Sequence, residues 1–388
     1  MPRTASGPRI VINGTFWPQP HVGSGQYLHN LLKRLIVQAP DHRFTVVVPR
    51  YLRAYHPGLS HVQTIYMPTP FDRRSARLAK FWFEQISIRQ ACRSLRADVL
   101  HVPYVGAPAR PSLPTVITVH DLIPWLLPEY RTRRTMRGYM KLMQQSMARA
   151  HLLLAVSDHT RQDIVKTLDV PDHKIVVTYE SVSDGYCPQP QAVIDEVCRR
   201  FHIDAPYVYY VGGFDLRKNV ATAIRSFAKA RRRVNRRILL VLAGRLPKEQ
   251  NALYPDIHYV ILEEGLAADV VLLGAVSEAD NAALMSGCTA FMYPSQYEGF
   301  GLPPLEAMRC GAPVLASSTT SVGEVVDGGG MLLPPNDVDA WSNALVRVVN
   351  DAPIRQELQQ RGLDRAQAFR WETTAQKTID AYARAVNG

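Results

Sequence analysis

Long apolar segments are missing from this chain. No stretch approaches the roughly 20 consecutive apolar residues of a membrane-spanning helix. Residues 1–8 carry a single arginine and lead straight into a strand pattern, without the apolar region of a signal peptide. We therefore expect a cytoplasmic protein, either free or peripheral on the inner face of the cytoplasmic membrane.

Metal-binding and redox patterns are missing as well. The 388-residue chain has five cysteines, none in a CxxC pair, and its twelve histidines do not fall at zinc-site spacing. No DxD carboxylate pair follows a predicted strand, and no GxxxxGK[ST] phosphate loop occurs. Disulfide scaffolds and P-loop proteins are thereby excluded, and neither a metal nor a cofactor is expected.

Basic residues outnumber acidic ones only in the first half of the chain. The net charge of the chain is +11. Residues 1–190 hold 24 Lys/Arg against 12 Asp/Glu, whereas residues 191–388 hold 21 against 22. A nucleic acid, an anionic membrane surface or an anionic substrate would each be attracted by this excess. Because no nucleic-acid reader motif is recognised, we expect no nucleic-acid partner.

Short apolar runs alternate with helical periodicity along the first half. This alternation predicts an α/β fold with a parallel, doubly wound sheet. A glycine turn at 23–25 is predicted to precede a helix over 26–38, and one apolar face is predicted to run through 71–98. The predicted strands of this half are 9–13, 44–48, 98–102, 115–119 and 152–156.

The same alternation restarts near residue 207. The predicted strands of this half are 207–211, 238–243, 270–273, 290–293 and 313–316. We therefore expect two Rossmann-like domains facing across a cleft, 1–190 and 191–370. The helical segment 371–388 is predicted to pack back on the first domain.

The stretch from Glu298 to Glu306 carries the strongest functional signal. Two glycines and a Pro-Pro pair separate the two carboxylates, and the stretch joins a buried strand pattern to a helical one. Glycines allow close backbone approach, and a helix start offers N–H groups and a partial positive charge. Carboxylates accept hydrogen bonds from hydroxyls. Together these features favour a sugar nucleotide over a bare phosphate.

A cationic pair follows the first strand of the second half. Arg217 and Lys218 come after Gly212 and Gly213, with Asn219 as a candidate helix N-cap. Ligands of open α/β sheets bind at the carboxyl ends of strands. The pair is therefore a candidate clamp for a diphosphate, and an exposed pair on a loop is the alternative.

Two further clusters lie in the first half. Gly23 and Gly25 either satisfy a left-handed turn or let the backbone approach a phosphate. His120 follows a predicted strand and is either a structural histidine or a residue of the cleft. Asp121 beside it would orient the ring or act in its own right.

These motifs resemble glycosyltransferase family 4, a large retaining family of GT-B fold. The pair Glu298 and Glu306, with seven residues between them, is its most specific mark, and the likeness covers nearly the whole chain. Val119-His120-Asp121 and Arg217-Lys218-Asn219 are most similar to bacterial mannosyltransferases of O-antigen and exopolysaccharide assembly.

The resemblance implies a division of roles. The C-terminal domain would bind a nucleotide-sugar donor, with Glu306 on the ribose and Glu298 on the sugar, and the N-terminal domain would bind the acceptor. Arg217 and Lys218 would neutralise the leaving diphosphate, and His120 would bond the sugar. The implied donor-binding residues are Gly23, Gly25, Gly213, Arg217, Lys218, Glu298, Gly299, Phe300, Gly301, Leu302 and Glu306. The implied catalytic residues are His120, Asp121, Glu298, Arg217 and Lys218.

The activity implied is transfer of a hexose to a hydroxyl of a glycan or lipid-linked glycan in cell-surface polysaccharide biosynthesis. Mannose from GDP-mannose is the favoured donor, while GDP-rhamnose, a UDP-hexose and dTDP-rhamnose stay open. A front-face displacement without a metal is expected, and a double displacement through Asp121 or Glu298 is its rival. A sugar-nucleotide epimerase of similar fold is the alternative enzyme.

Overall fold

The computed structural model describes residues 7–19, 22–53, 62–131, 134–247 and 249–387, without the side chains of Arg134 and Thr135. Contacts divide the chain into two units. The first comprises Met1–Glu180 and Arg370–Gly388, and the second comprises Ser181–Phe369.

The first unit contains a sheet of seven parallel strands in the order β3-β2-β1-β4-β5-β6-β7. Its central strand β1 places Ile10 opposite Phe44 on one side and Val99 on the other. The strands are β1 (Arg9–Asn13), β2 (Arg43–Pro49), β3 (Gln63–Met67), β4 (Val99–Val102), β5 (Thr115–Val119), β6 (Leu152–Ala155) and β7 (Ile175–Val177). Central strands of this kind are buried on both faces, which explains their continuous apolar runs.

The second unit contains a sheet of six parallel strands in the order β10-β9-β8-β11-β12-β13. The strands are β8 (Tyr207–Val211), β9 (Leu239–Ala243), β10 (Val270–Gly274), β11 (Ala290–Tyr293), β12 (Val314–Ser317) and β13 (Met331–Leu333). The order reverses at β8, which pairs with both β9 and β11. The predicted α/β class with two doubly wound sheets is confirmed.

Helices connect the strands of both sheets. In chain order they are α1 (Gly23–Gln38), α2 (Ala76–Trp82), α3 (Ile88–Ser94), α4 (Ile123–Leu126), α5 (Arg134–Arg149), α6 (Asp158–Leu168), α7 (Gln191–Arg200), α8 (Val220–Arg231), α9 (Ile257–Glu263), α10 (Glu278–Gly287), α11 (Leu302–Arg309), α12 (Thr320–Val326), α13 (Val338–Asn350), α14 (Ala352–Ala366) and α15 (Trp371–Asn387). A π-helical turn, Phe83–Ser87, joins α2 to α3.

Two apolar clusters cover the two faces of the first sheet. Val11 belongs to one cluster, whereas its neighbours Ile10 and Ile12 belong to the other. The second cluster includes Trp371 and Tyr382 of α15. The C-terminal helix therefore packs on the first unit, as the sequence predicts.

The segment 181–190, which the sequence analysis places in the first domain, belongs to the second unit. The Ser181 hydroxyl donates to the carbonyl of Phe369 at 3.0 Å. Asn281 donates to the Tyr186 hydroxyl at 3.1 Å. These contacts tie the segment to α10 and to the end of the unit.

Candidate active site

The proposed donor residues of the second unit come from neighbouring strands. Arg217 and Lys218 lie in the connection that follows β8, and Glu298 lies in the connection between β11 and α11. Because β8 and β11 are adjacent and parallel, both connections leave the same edge of the sheet. The structure thus brings Glu298 to Arg217 and Lys218, which lie about 80 positions earlier in the sequence.

Both oxygens of the Glu298 carboxylate are engaged. Oε2 forms an ion pair with Arg217 Nη1 at 2.7 Å. Oε1 accepts from Lys218 Nζ and Ser295 Oγ, each at 2.6 Å, and from the Tyr293 hydroxyl at 2.9 Å. Glu298 therefore holds the two cations in place and has few lone pairs left for other work.

The charges at this cluster stabilise one another. Burial alone would raise the pKa of Glu298, but Lys218 and Arg217 outweigh it and lower the pKa to about 2. Burial lowers the pKa of Lys218, and the charge of Glu298 opposes that fall. At neutral pH the carboxylate is a charged positioning group and not a proton donor.

Asn219 occupies the N-cap position of α8, as the sequence predicts, but its side chain makes no capping hydrogen bond to the helix backbone. It precedes the helix with φ of 53°, in the left-handed region that asparagine tolerates. Its side-chain amide donates to the carbonyls of Pro335 at 2.7 Å and Pro294 at 3.2 Å. Asn219 therefore links the connection after β8 to the connections after β11 and β13.

The glycines around these residues keep the backbones close. The carbonyl of Gly213 accepts from the Tyr210 hydroxyl at 2.6 Å. A Cβ on Gly213 would lie 3.0 Å from Asp215 Oδ2. Gly213 is thus a packing position at the edge where Arg217 and Lys218 emerge, and its contact with a donor stays a prediction.

The start of α11 offers fewer N–H groups than its position suggests. Gly301 is the N-cap with φ of 121°, a conformation that favours glycine. Leu302 is the first helical residue, and the next two, Pro303 and Pro304, have no N–H. Leu305 N–H already bonds the Gly301 carbonyl at 3.3 Å. Of the helix's first turn, only Leu302 has an N–H to offer a ligand.

The flanking residues Gly299 and Phe300 lie in the same connection. Phe300 is 5% exposed and packs edge-on against Phe369, with ring centroids 5.7 Å apart. Its side chain therefore anchors the connection in the core of the second unit. Backbone contact of Gly299, Phe300, Gly301 or Leu302 with a sugar or phosphate stays a prediction.

Glu306 lies one turn further along α11 and is 8% exposed. Burial, and after it the charge of Glu278, raises its pKa to about 8, although a hydrogen bond with Tyr186 lowers it. The two acids of the motif therefore differ at neutral pH. Glu298 is ionised among cations, whereas Glu306 is mostly protonated beside another acid.

In the first unit, Gly23 and Gly25 are part of α1 and do not precede it. Neither has a positive φ, so the left-handed turn is excluded. A Cβ on Gly25 would lie 1.9 Å from the Gln19 carbonyl oxygen, whereas a Cβ on Gly23 would meet nothing within 4 Å. Packing explains Gly25 and does not explain Gly23.

His120 follows β5 and has both ring nitrogens engaged. Nδ1 lies 2.7 Å from Glu180 Oε1, and Nε2 lies 3.0 Å from the Pro103 carbonyl oxygen. Asp121 Oδ1 accepts from the N–H of Ile123 at 3.0 Å, at the start of α4. Glu180, and not Asp121, makes the hydrogen bond that orients the His120 ring.

Several residues of these clusters are not marked by any motif in the sequence. Tyr293 and Ser295 are recognised only once β8 and β11 are known to be neighbours. Thr320 has φ of 58°, a strained value for a β-branched residue, and its hydroxyl accepts from Glu298 N–H at 3.3 Å. Glu180 follows a short edge strand that the sequence analysis does not predict.

Among the described residues, no group of three or more His, Cys, Asp or Glu side chains is arranged to hold a metal ion. None of the described helices is both long and apolar enough to cross a membrane.

Comparisons with known proteins identify the family of this chain. Residues 22–184 match the sequence model of Glycosyltransferase Family 4, and residues 199–365 match that of Glycosyl transferases group 1. Escherichia coli O-antigen chain mannosyltransferase B is 33% identical over 381 residues, which are 94% of this chain and 96% of that protein. The chain belongs to glycosyltransferase family 4.

Solved structures of other proteins share the fold of this chain. Sucrose-phosphate synthase from Thermosynechococcus elongatus aligns with a TM-score of 0.80 at 20% identity, covering 97% of this chain and 98% of that one. Anabaena HepE, solved with UDP and glucose, aligns with a TM-score of 0.74 at 18% identity, covering 97% and 100%. At these identities the likeness concerns the fold, and it confirms the GT-B class.

Proposed function

We propose that this glycosyltransferase transfers mannose from GDP-mannose, with retention, to a hydroxyl of a glycan or lipid-linked glycan in cell-surface polysaccharide assembly. The observation that carries the proposal is the buried cluster in which Glu298 aligns Arg217 and Lys218 at one sheet edge. The choice of mannose is supported by the O-antigen mannosyltransferase that is 33% identical to this chain.

Arg217 and Lys218 supply the positive charge that a departing nucleoside diphosphate requires. In the proposed reaction the bond from the sugar C1 to the phosphate oxygen breaks while the acceptor oxygen bonds C1 on the same face. The acceptor proton passes to the departing phosphate oxygen. Cations that are already held in place stabilise the growing negative charge without having to reorganise. Such preorganised electrostatic stabilisation is usually the largest single contribution to catalysis.

The contacts of Glu298 favour this front-face route over a double displacement. A nucleophilic carboxylate needs a free oxygen facing C1, whereas Oε2 of Glu298 is ion-paired with Arg217 and Oε1 accepts hydrogen bonds from Lys218, Tyr293 and Ser295. One carboxylate oxygen of Asp121 accepts a hydrogen bond from the Ile123 N–H. We therefore assign Glu298 a positioning role and no covalent one.

The remaining assignments follow the family pattern. Glu306 would accept the ribose hydroxyls, and the backbone from Gly299 to Leu302, with Gly213, would line the donor. Gly23, Gly25, His120 and Asp121 belong to the first unit, and their roles toward phosphate and sugar stay predictions. His120 would need to share or exchange the Pro103 carbonyl to bond a sugar hydroxyl.

A panel of nucleotides and sugar nucleotides tests the donor. GDP and GDP-mannose are expected to raise the melting temperature of the protein, and GDP-mannose is expected to be slowly hydrolysed. UDP-hexoses and dTDP-rhamnose are expected neither to stabilise the protein nor to be hydrolysed. Stabilisation by UDP or dTDP alone would show that the base is wrong. Hydrolysis of GDP-rhamnose in preference to GDP-mannose would show that the sugar is wrong.

The stereochemistry of the product tests the mechanism. We expect an α-linked mannoside from α-configured GDP-mannose, read from the anomeric carbon–proton coupling by NMR. A β-linked product would contradict retention. A mannosyl adduct trapped on Glu298 or Asp121 and located by peptide mass spectrometry would contradict the front-face route.

We also propose that the basic first unit approaches anionic lipid, where a lipid-linked acceptor resides. On α2, Leu78 is 48% and Phe81 44% exposed, and Arg77 lies on the same short helix. Apolar side chains beside cations suit an anionic interface. Co-sedimentation with phosphatidylglycerol vesicles should fall with rising salt and with Phe81→Ser, and salt-independent or absent binding would contradict the proposal.

A further inference from the structure

Two histidines of the first unit, the buried His101 and the partly buried His120, have unlike partners. Each ring nitrogen of His120 faces an oxygen that can only accept, a carboxylate oxygen of Glu180 at 2.7 Å and the Pro103 carbonyl at 3.0 Å. An imidazole with one bare nitrogen would set a lone pair against one of these acceptors. His120 satisfies both only when each nitrogen carries a hydrogen.

His101 on β4 provides the contrast. Its Nδ1 lies 2.7 Å from the Tyr382 hydroxyl, and its Nε2 lies 2.9 Å from Thr118 Oγ1. A hydroxyl both donates and accepts, so a neutral ring satisfies both contacts. The hydrogen-bond partners therefore favour a charged ring at His120 and a neutral ring at His101.

We propose that Glu180 is a positioning residue of this enzyme, which holds His120 as an imidazolium and aims its Nε2–H as a hydrogen-bond donor to the donor sugar. The inference rests on the proposed role of His120 in sugar binding. It adds a residue to the reaction that the motifs do not contain. Glu180 acts through His120 and does not itself touch the substrate.

The surroundings of His120 support a held cation. Burial would lower its pKa, but the hydrogen bond and charge of Glu180 outweigh burial, and Asp121 adds to them, so the pKa is raised. Burial lowers the pKa of His101 to about 3, and the charge of His120 adds to that fall. The Tyr27 ring packs edge-on against His120, with centroids 4.8 Å apart.

The geometry also fixes which nitrogen serves a ligand. Glu180 is 4% exposed and its bond occupies Nδ1, while the His120 side chain keeps 19% of its surface exposed. Only Nε2–H is left to be shared between the Pro103 carbonyl and a sugar hydroxyl. A charged donor makes a hydrogen bond roughly twice as strong as a neutral one.

The first test reads the ring directly in the substrate-free enzyme. Ring nitrogen NMR of histidine-labelled protein, assigned with His120→Gln and His101→Gln, should show His120 charged through pH 7 and His101 neutral. Glu180→Gln should lower the midpoint of His120 by about one pH unit or more, because a neighbouring carboxylate contributes about that much. The matched control Glu372→Gln, at an exposed partner of Arg34, should change nothing.

The second test uses pH profiles of turnover with GDP-mannose. Glu180→Gln should move the alkaline limb of kcat to lower pH while turnover at acidic pH is retained, and Glu180→Asp should keep the wild-type profile at reduced kcat. A uniform loss at every pH, or a His120 ring that is neutral at pH 7 in the wild type, would overturn the proposal. If the wild type does not use GDP-mannose, the proposed donor is wrong and the NMR result still decides the role of Glu180.

Discussion

At the scale of single residues, the main finding is that two acids of one motif are in opposite states. Glu298 is ionised by the cations that surround it, with a pKa of about 2. Glu306 has a pKa of about 8 because it is buried near Glu278. Environment, and not residue type, therefore sets the charge state of each acid.

Lys218→Met should slow sugar transfer by about 10²–10³-fold in kcat, because it removes a preorganised charge facing the leaving group. The KM for GDP-mannose should change less, since Arg217 remains. Steady-state kinetics measure both. Lys229→Met is the control, because Lys229 pairs with Asp339 at 2.7 Å on an exposed surface. Wild-type kcat in Lys218→Met would contradict the assigned role.

Glu306→Gln should weaken GDP binding yet stabilise the unliganded protein at alkaline pH. The folded-state pKa of Glu306, about 8, lies above its ordinary value. Between those two values only the unfolded chain has lost the proton, so wild-type stability falls as pH rises. The neutral glutamine avoids this fall. Melting temperatures at pH 6 and pH 9, with and without GDP, measure both effects. If the melting temperature changed between pH 6 and pH 9 by the same amount in the wild type and in the variant, that result would contradict the raised pKa of Glu306.

At the scale of elements, every central strand was predicted, whereas three of the four edge strands in the described residues were not. The missed strands β3, β7 and β13 are partly exposed and lack a buried apolar run, while the edge strand β10 was predicted from the continuous apolar run 270–273. The single face predicted over 71–98 is also wrong in part. The π-helical turn Phe83–Ser87 shifts the register, which leaves Leu78 and Phe81 exposed while Ile88 is buried.

The candidate site shows the same limit. Glycines and charges next to strand ends were predicted, because the ends of parallel strands share one edge of a sheet. The contacts of Ser295, Tyr293, Thr320 and Glu180 depend on which strands are neighbours and on the path of each connection. No local pattern in the sequence records that information.

Gly23→Ala and Gly25→Ala form a matched pair on the first turn of α1. Gly25→Ala should destabilise the protein, because its Cβ would lie 1.9 Å from a backbone oxygen. Gly23→Ala has open space and a helical backbone, so it should stabilise by about 0.5–1 kcal/mol. If Gly23 approaches a phosphate, the same variant loses donor affinity while gaining stability. Urea unfolding and GDP titration measure the two, and full affinity in Gly23→Ala would remove Gly23 from the donor site.

At the scale of the whole molecule, the chain returns to its first unit after completing the second. Trp371, Ala375 and Tyr382 of α15 share an apolar cluster with Ile10 and Ile12 of β1. The returning helix also supplies the hydroxyl that satisfies the buried His101. α15 is thus part of the core built on β1, although the whole second unit lies between them in sequence.

Tyr382→Phe should lower the free energy of unfolding by about 1–3 kcal/mol, the cost of leaving a buried polar group unsatisfied. The hydroxyl lies 2.7 Å from His101 Nδ1, and both residues are fully buried. Tyr259→Phe, at a site 63% exposed, is the control. Urea denaturation compares the two variants, and equal midpoints would mean that His101 does not depend on this partner.

The return of α15 has a consequence for the order of events during synthesis. The ribosome completes the strands of the first unit about 190 residues before it makes the helix that covers Ile10 and Ile12. Domains otherwise tend to fold in the order in which they emerge. Here the first unit to emerge is the last to close its core, so a chain released early exposes an apolar sheet face to chaperones and proteases. Synthesis of α15 is thereby coupled to formation of the unit that carries His120 and Glu180.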